Sequence, residues 1–92
     1  MDDARGALEE ALKLRRALAD KNPNTYLPDV AMTLNNLGIL HRCENRLTNA
    51  RIAYEEALKI YRAFAEKTPA WFRRHQERVE KLLSELDKTA QE

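Results

Sequence analysis

The chain has 92 residues, 34% of them charged and 7% aromatic, with a net charge of +1. That describes one small domain, near the size at which a single core gives modest stability, and argues against a strongly basic nucleic-acid face or an acidic tail. Cys43 is the single cysteine, no apolar run approaches the roughly 20 residues that span a bilayer, and the opening MDDARGALEE lacks the apolar core of a secretion signal; the expectation is a cytoplasmic protein with no membrane partner.

In chain order, a first helix is expected from about Asp3 to Lys21, with Asp2 and Asp3 at its positive end and Lys21 near its negative one. Asn22-Pro23-Asn24 breaks it, because proline disfavours helix in the residue before it. A second helix is expected from Pro28, a good first-turn residue, to Cys43, with Asn24 to Leu27 as the connection. Asn45 then suits a left-handed position in a short turn. A third helix runs from about Thr48 to Lys67. Thr68-Pro69 reads as a cap and first-turn proline opening a fourth, to about Thr89. In that last helix Phe72, Val79, Leu82, Leu83 and Leu86 form one apolar stripe and charged residues fill the back, which describes a helix that packs on one neighbour and ends a stack.

Residues 1–23 and 47–69 align without a gap. Ala4, Arg5, Ala7, Glu9, Glu10, Ala11, Leu12, Lys13, Arg16, Ala17, Ala19, Lys21 and Pro23 all recur 46 positions later, 13 identities in 23 pairs. An internal duplication with a period in the range of helical solenoids accounts for this. The first helix is then expected to be the second helix of a repeat whose first helix is missing from this chain.

Within Val30 to Ala57, Leu34, Leu37 and Gly38 fall on one helix and Ala50, Tyr54 and Ala57 on the next. Small residues at the crossing let two antiparallel helices approach, and large ones fill the flanks. This resembles the tetratricopeptide repeat (TPR). His41 departs from the pattern, standing where the family usually has a large aromatic, and Arg62 stands where a shorter repeat ends in proline. The 46-residue spacing and the Leu-Asn-Asn-Leu-Gly run look closest to kinesin-light-chain-like TPRs. The resemblance implies an all-α fold, a short right-handed α-solenoid of four antiparallel helices in a single domain. Residues 1–23 are a half repeat, 24–69 a full repeat and 70–92 a capping helix.

Catalytic chemistry is scarce in these residues. His41, His75 and Cys43 match no zinc spacing, and His41 and Cys43 diverge by about 200° of helical arc. There is no glycine-rich loop and no nucleophile elbow. Glu9-Glu10 and Glu55-Glu56 sit among lysines and arginines and read as solvated surface. Arg73, Arg74, His75, Arg78 and Lys81, interleaved with Glu77 and Glu80, read as a solvated helix back rather than a nucleic-acid surface. Trp71 reads as a packing residue and Cys43 as a small residue at a helix end. No enzyme, metal or cofactor is expected.

What remains is binding. In TPR proteins the first helices of successive repeats line a concave groove that holds extended peptides. The resemblance carries that role to Met32, Asn35, Ile39 and Arg42, with Asn36 about 100° round the helix from Asn35. An amide at Asn35 can donate to and accept from a peptide backbone, and Arg42 can meet a carboxylate with two hydrogen bonds. The alternative is a structural oligomerisation unit with no peptide ligand. Ala4, Leu8 and Ala11 of the first helix correspond to Ala50, Tyr54 and Ala57 but lack their partner helix. That end is expected to self-associate, or to continue into a longer array. RNA binding would need basic and stacking residues that Met32, Asn35 and Ile39 do not provide.

Overall fold

Asn22 alone separates the first two helices. Its N–H donates to the carbonyl of Leu18, 2.9 Å away, and its own carbonyl accepts from the N–H groups of Thr25 and Tyr26. One residue thus closes α1, Asp2–Lys21, and opens α2, Pro23–Cys43. Its backbone, φ −144° and ψ 79°, lies outside the helical region, as the proline that follows demands. The computed structural model describes residues 2–65 and 69–91, with side chains at 4–64 and 73–88.

Asn24 to Leu27 are therefore helical, and α2 starts at Pro23, not at Pro28. Both prolines can open a helix, but Pro23 occupies the first turn, where a missing N–H costs nothing. Pro28, inside the helix, deprives the carbonyl of Asn24 of its donor; Asn24 is exposed, so water can serve it. Tyr26 and Leu27 pack against the core from this added first turn.

The end of α2 is satisfied by backbone geometry. Asn45 has φ 63°, its N–H donates to Arg42, and the N–H of Arg46 donates to His41 at 2.7 Å. This pair of bonds is a Schellman closure with asparagine at the left-handed position. The carbonyl of Arg46 then accepts from Ala50 and starts α3, Leu47–Ala65. α4 spans Pro69–Gln91. The Thr68 cap and the Lys67 end expected for α3 lie outside the described residues, as do the side chains of Trp71 and Phe72.

Each helix packs on the next in the chain. The Cα envelope is 39 × 29 × 15 Å. Its thin dimension matches two helix layers about 10 Å apart with a Cα radius of about 2.3 Å. Ion pairs link alternate helices: Arg16 of α1 meets Glu56 of α3, and Arg42 of α2 meets Glu85 of α4. On the exposed surface each is worth at most about 1 kcal/mol, so they mark register more than stability.

The stabilising contacts are apolar. Val30, Ala31 and Leu34 of α2 and Ala50, Tyr54, Ala57 and Tyr61 of α3 are buried, joined by Val79 and Leu86 of α4. The centre is the meeting of Gly38 with the Tyr54 ring. A Cβ built on Gly38 would lie 2.5 Å from Tyr54 Cε1, so only hydrogen fits. Burial also pushes the Tyr54 phenol pKa up, and the group stays neutral. His41, smaller than the aromatic of the family pattern, borders an open cleft of about 280 Å³ with Leu34, Leu37 and Ile52.

Candidate functional site

A helix packed on both sides keeps one open face, and for α2 that face carries Met32 and Asn36, both exposed. Asn35, one position before Asn36, is 9% exposed. Its Oδ1 accepts no hydrogen bond from the described residues. These three residues line a small cleft of about 80 Å³, together with Tyr61 of α3 and His75 and Arg78 of α4. On the other flank, Met32 and Asn36 border a second depression of about 120 Å³ with Arg15, Asp29 and Thr33. There the Arg15 guanidinium donates to Thr33 Oγ1 at 2.7 Å, and that hydroxyl donates to the carbonyl of Asp29. α2 thus presents a thioether and two amides between two arginines, Arg15 and Arg78.

Of the five residues expected on this face, the structure gathers Met32, Asn35 and Asn36. Ile39 is half-buried against the core. Arg42 is exposed, with its guanidinium 3.5 Å from the Glu85 carboxylate of α4. Glu85 thus competes for the group that would meet a partner's carboxylate.

Tyr61, His75 and Arg78 are additions that α2 alone does not reveal. The 46-residue offset carries a signal for one of them, because it maps Met32 onto Arg78. His75 stacks on Tyr61 with ring centroids 5.4 Å apart and planes 18° from parallel. Burial, then Arg78 and Arg74, hold its pKa below the usual 6.5. The ring is therefore largely neutral at pH 7 and able to accept a hydrogen bond.

This shift has a sign. The unfolded chain binds a proton at His75 near pH 6.5 and the folded chain at a lower pH. Stability from this residue is complete above about pH 6.5 and falls as the pH drops through that value, the loss ending below the folded pKa. Melting temperature measured from pH 7.5 to 5 should therefore fall more steeply in the parent than in His75→Gln. Equal slopes would remove the proposed cost of charging the ring.

On the opposite end, α1 exposes Ala4, with Leu8 and Ala11 half-buried. Leu14 and Leu18 are 61% and 43% exposed on the same helix. Leu8 lies about 20° of arc from the buried Ala19 and so sits at the border between the packed and open sides.

Among the described residues no group of three or more His, Cys, Asp or Glu side chains could hold a metal ion. No helix there is long and apolar enough to cross a membrane. Neither a curated protein nor a solved structure matches the chain. A family model described as tetratricopeptide repeat matches residues 1–63. It spans the duplicated α1 and the α2–α3 pair closed by Gly38 and Tyr54. With four helices among the described residues packed in chain order and this match, the chain belongs to the tetratricopeptide repeat family.

Proposed function

We propose that the open face of α2 holds an extended segment of a partner protein, with Met32, Asn35 and Asn36 as the floor and Tyr61, His75 and Arg78 as one wall. The observation that carries this is the Asn35 amide. A buried acceptor without a donor costs about 1–3 kcal/mol, and its residue lines the floor of an open cleft. Once the amide turns toward the cleft a peptide N–H recovers that cost, and the amide's own N–H groups can meet a peptide carbonyl. Met32, half exposed, adapts to an apolar side chain of the partner. Arg42 joins only if it leaves Glu85. The role is non-enzymatic, in keeping with a family of interaction domains.

The test is selection of binders from a phage-displayed random 12-mer library, followed by titration of the selected peptide. Asn35→Ala and Met32→Glu should each weaken that peptide at least about tenfold, a change of about 1.4 kcal/mol. Ile52→Glu, on the far side of the stack, should leave it unchanged. Peptides that bind Asn35→Ala and Met32→Glu as tightly as the parent would contradict the assignment.

A second reading, homo-oligomerisation through α1, is favoured by the exposure of Leu14 and Leu18. It places Ala4, Leu8 and Ala11 at a contact between copies. The two readings use different faces and are compatible.

A further inference from the structure

The uncovered side of α1 has a regular pattern. Ala4, Ala7, Ala11, Leu14 and Leu18 follow each other at spacings of three, four, three and four. Such spacing draws one apolar seam along a helix. Their counterparts 46 residues on are Ala50, Ala53, Ala57, Ile60 and Phe64; the three alanines are buried and the last two are half-buried against the core. On α1 the same seam is open: Ala4 and Ala7 are exposed, Ala11 is half-buried, and Leu14 and Leu18 are 61% and 43% exposed.

The opposite end of the stack is different. On α4, Arg73, Arg74, Glu77, Arg78, Lys81 and Lys88 are exposed, while Val79 and Leu86 are turned inward. That charged face does not accept an apolar seam, so head-to-tail growth of copies, α4 on α1, is disfavoured. A seam that meets its own kind is satisfied by two-fold symmetry.

From this we infer that two copies pair through α1, antiparallel, with the two-fold axis between Ala11 and Leu14. This rests on the oligomerisation reading and adds its geometry. In that register Leu14 of one copy faces Ala11 of the other and Leu18 faces Ala7, so each large side chain meets a small one. Parallel pairing would set Leu14 on Leu14 and Leu18 on Leu18, holding the helices apart where the alanines need close approach. Charge agrees with the antiparallel choice. Glu10 and Lys13 border one edge of the seam, where a shallow groove of about 680 Å³ runs beside Gly6, Leu14 and Ala17. Antiparallel pairing brings Glu10 of each copy beside Lys13 of the other, and the symmetry makes this contact twice.

Sedimentation equilibrium of the full chain across a concentration series tests the association. The parent should show a monomer–dimer equilibrium, and Leu14→Glu should weaken it by about a hundredfold, since symmetry places the charge twice in one interface. Leu14 is exposed, so circular dichroism of that variant should match the parent. The geometry is tested by mixing Ala7→Cys with Leu18→Cys, each made with Cys43→Ser, under mild oxidation. Antiparallel pairing gives the mixed disulfide and neither homodimer. Homodimers without the mixed product would overturn the register while leaving association standing. A parent that stays monomeric throughout would overturn both.

Discussion

Replacing Gly38 by alanine should destabilise the protein by about 1–3 kcal/mol, the usual cost of overpacking a filled core. The added Cβ would lie 2.5 Å from Tyr54 Cε1, 2.6 Å from Cδ1 and 3.0 Å from Cζ. Tyr54 has nowhere to retreat, being 0% exposed between Ala50 and Ala57, themselves 0% exposed. Elsewhere in a helix the same change gains about 1 kcal/mol from reduced backbone entropy. Gly6 provides the internal control. A Cβ there meets nothing within 4 Å, so Gly6→Ala should raise the melting temperature while Gly38→Ala lowers it. Shrinking the ring, in Gly38→Ala with Tyr54→Leu, should recover part of the loss relative to the sum of the two single changes. A Gly38→Ala protein that melts above the parent would show that α2 and α3 do not cross this closely.

Leu86→Ala should cost about 2–5 kcal/mol, read as a lowered urea midpoint. Leu86 is 0% exposed and Val79 1%, both on α4 and both within the core shared with α3. Truncating a side chain so enclosed leaves a cavity that backbone on two helices must close. The neighbouring Leu83 is only half-buried, and Leu83→Ala should cost less. The magnitude matters because a domain of this size has about 5–15 kcal/mol in total. If α4 were a loosely attached appendage, Leu86→Ala would leave the midpoint within error of the parent.

Much of this fold is legible in the residues. The 46-residue duplication and the apolar periodicity define α1 and α3, and the Gly38 and Tyr54 pairing follows from small-on-large packing. Asn45 takes the left-handed turn because asparagine tolerates it better than most side chains. The start of α2 was less legible, since two prolines five residues apart can each open a helix. Pro23 prevails because Asn22 ahead of it already has a non-helical backbone, and because Pro28 loses its hydrogen bond at exposed Asn24.

The candidate site was legible along α2 and not across it. Helical spacing puts Met32, Asn35, Ile39 and Arg42 near one face, with Asn36 about 100° round from Asn35, but what stands opposite depends on how α3 and α4 cross. The basic stretch of α4 illustrates this. Arg73 and Arg74 are solvated, as a charged helix back should be, whereas His75 turns inward to stack on Tyr61. The ion pair of Arg42 with Glu85 joins residues 43 apart, a contact that no local pattern encodes. On α1, the duplication marked the helix as equivalent to α3. The open seam nevertheless runs through Leu14 and Leu18, whose counterparts Ile60 and Phe64 are half-buried in the complete repeat.

The most direct measurement is amide chemical-shift mapping of the labelled protein as the library-selected peptide is added. Shifts concentrated at Met32, Asn35 and Asn36, with Tyr61, His75 and Arg78 following, would place the partner on the open face of α2. Shifts confined to α1 around Leu14 and Leu18, or to the cleft beside His41 and Ile52, would contradict that placement.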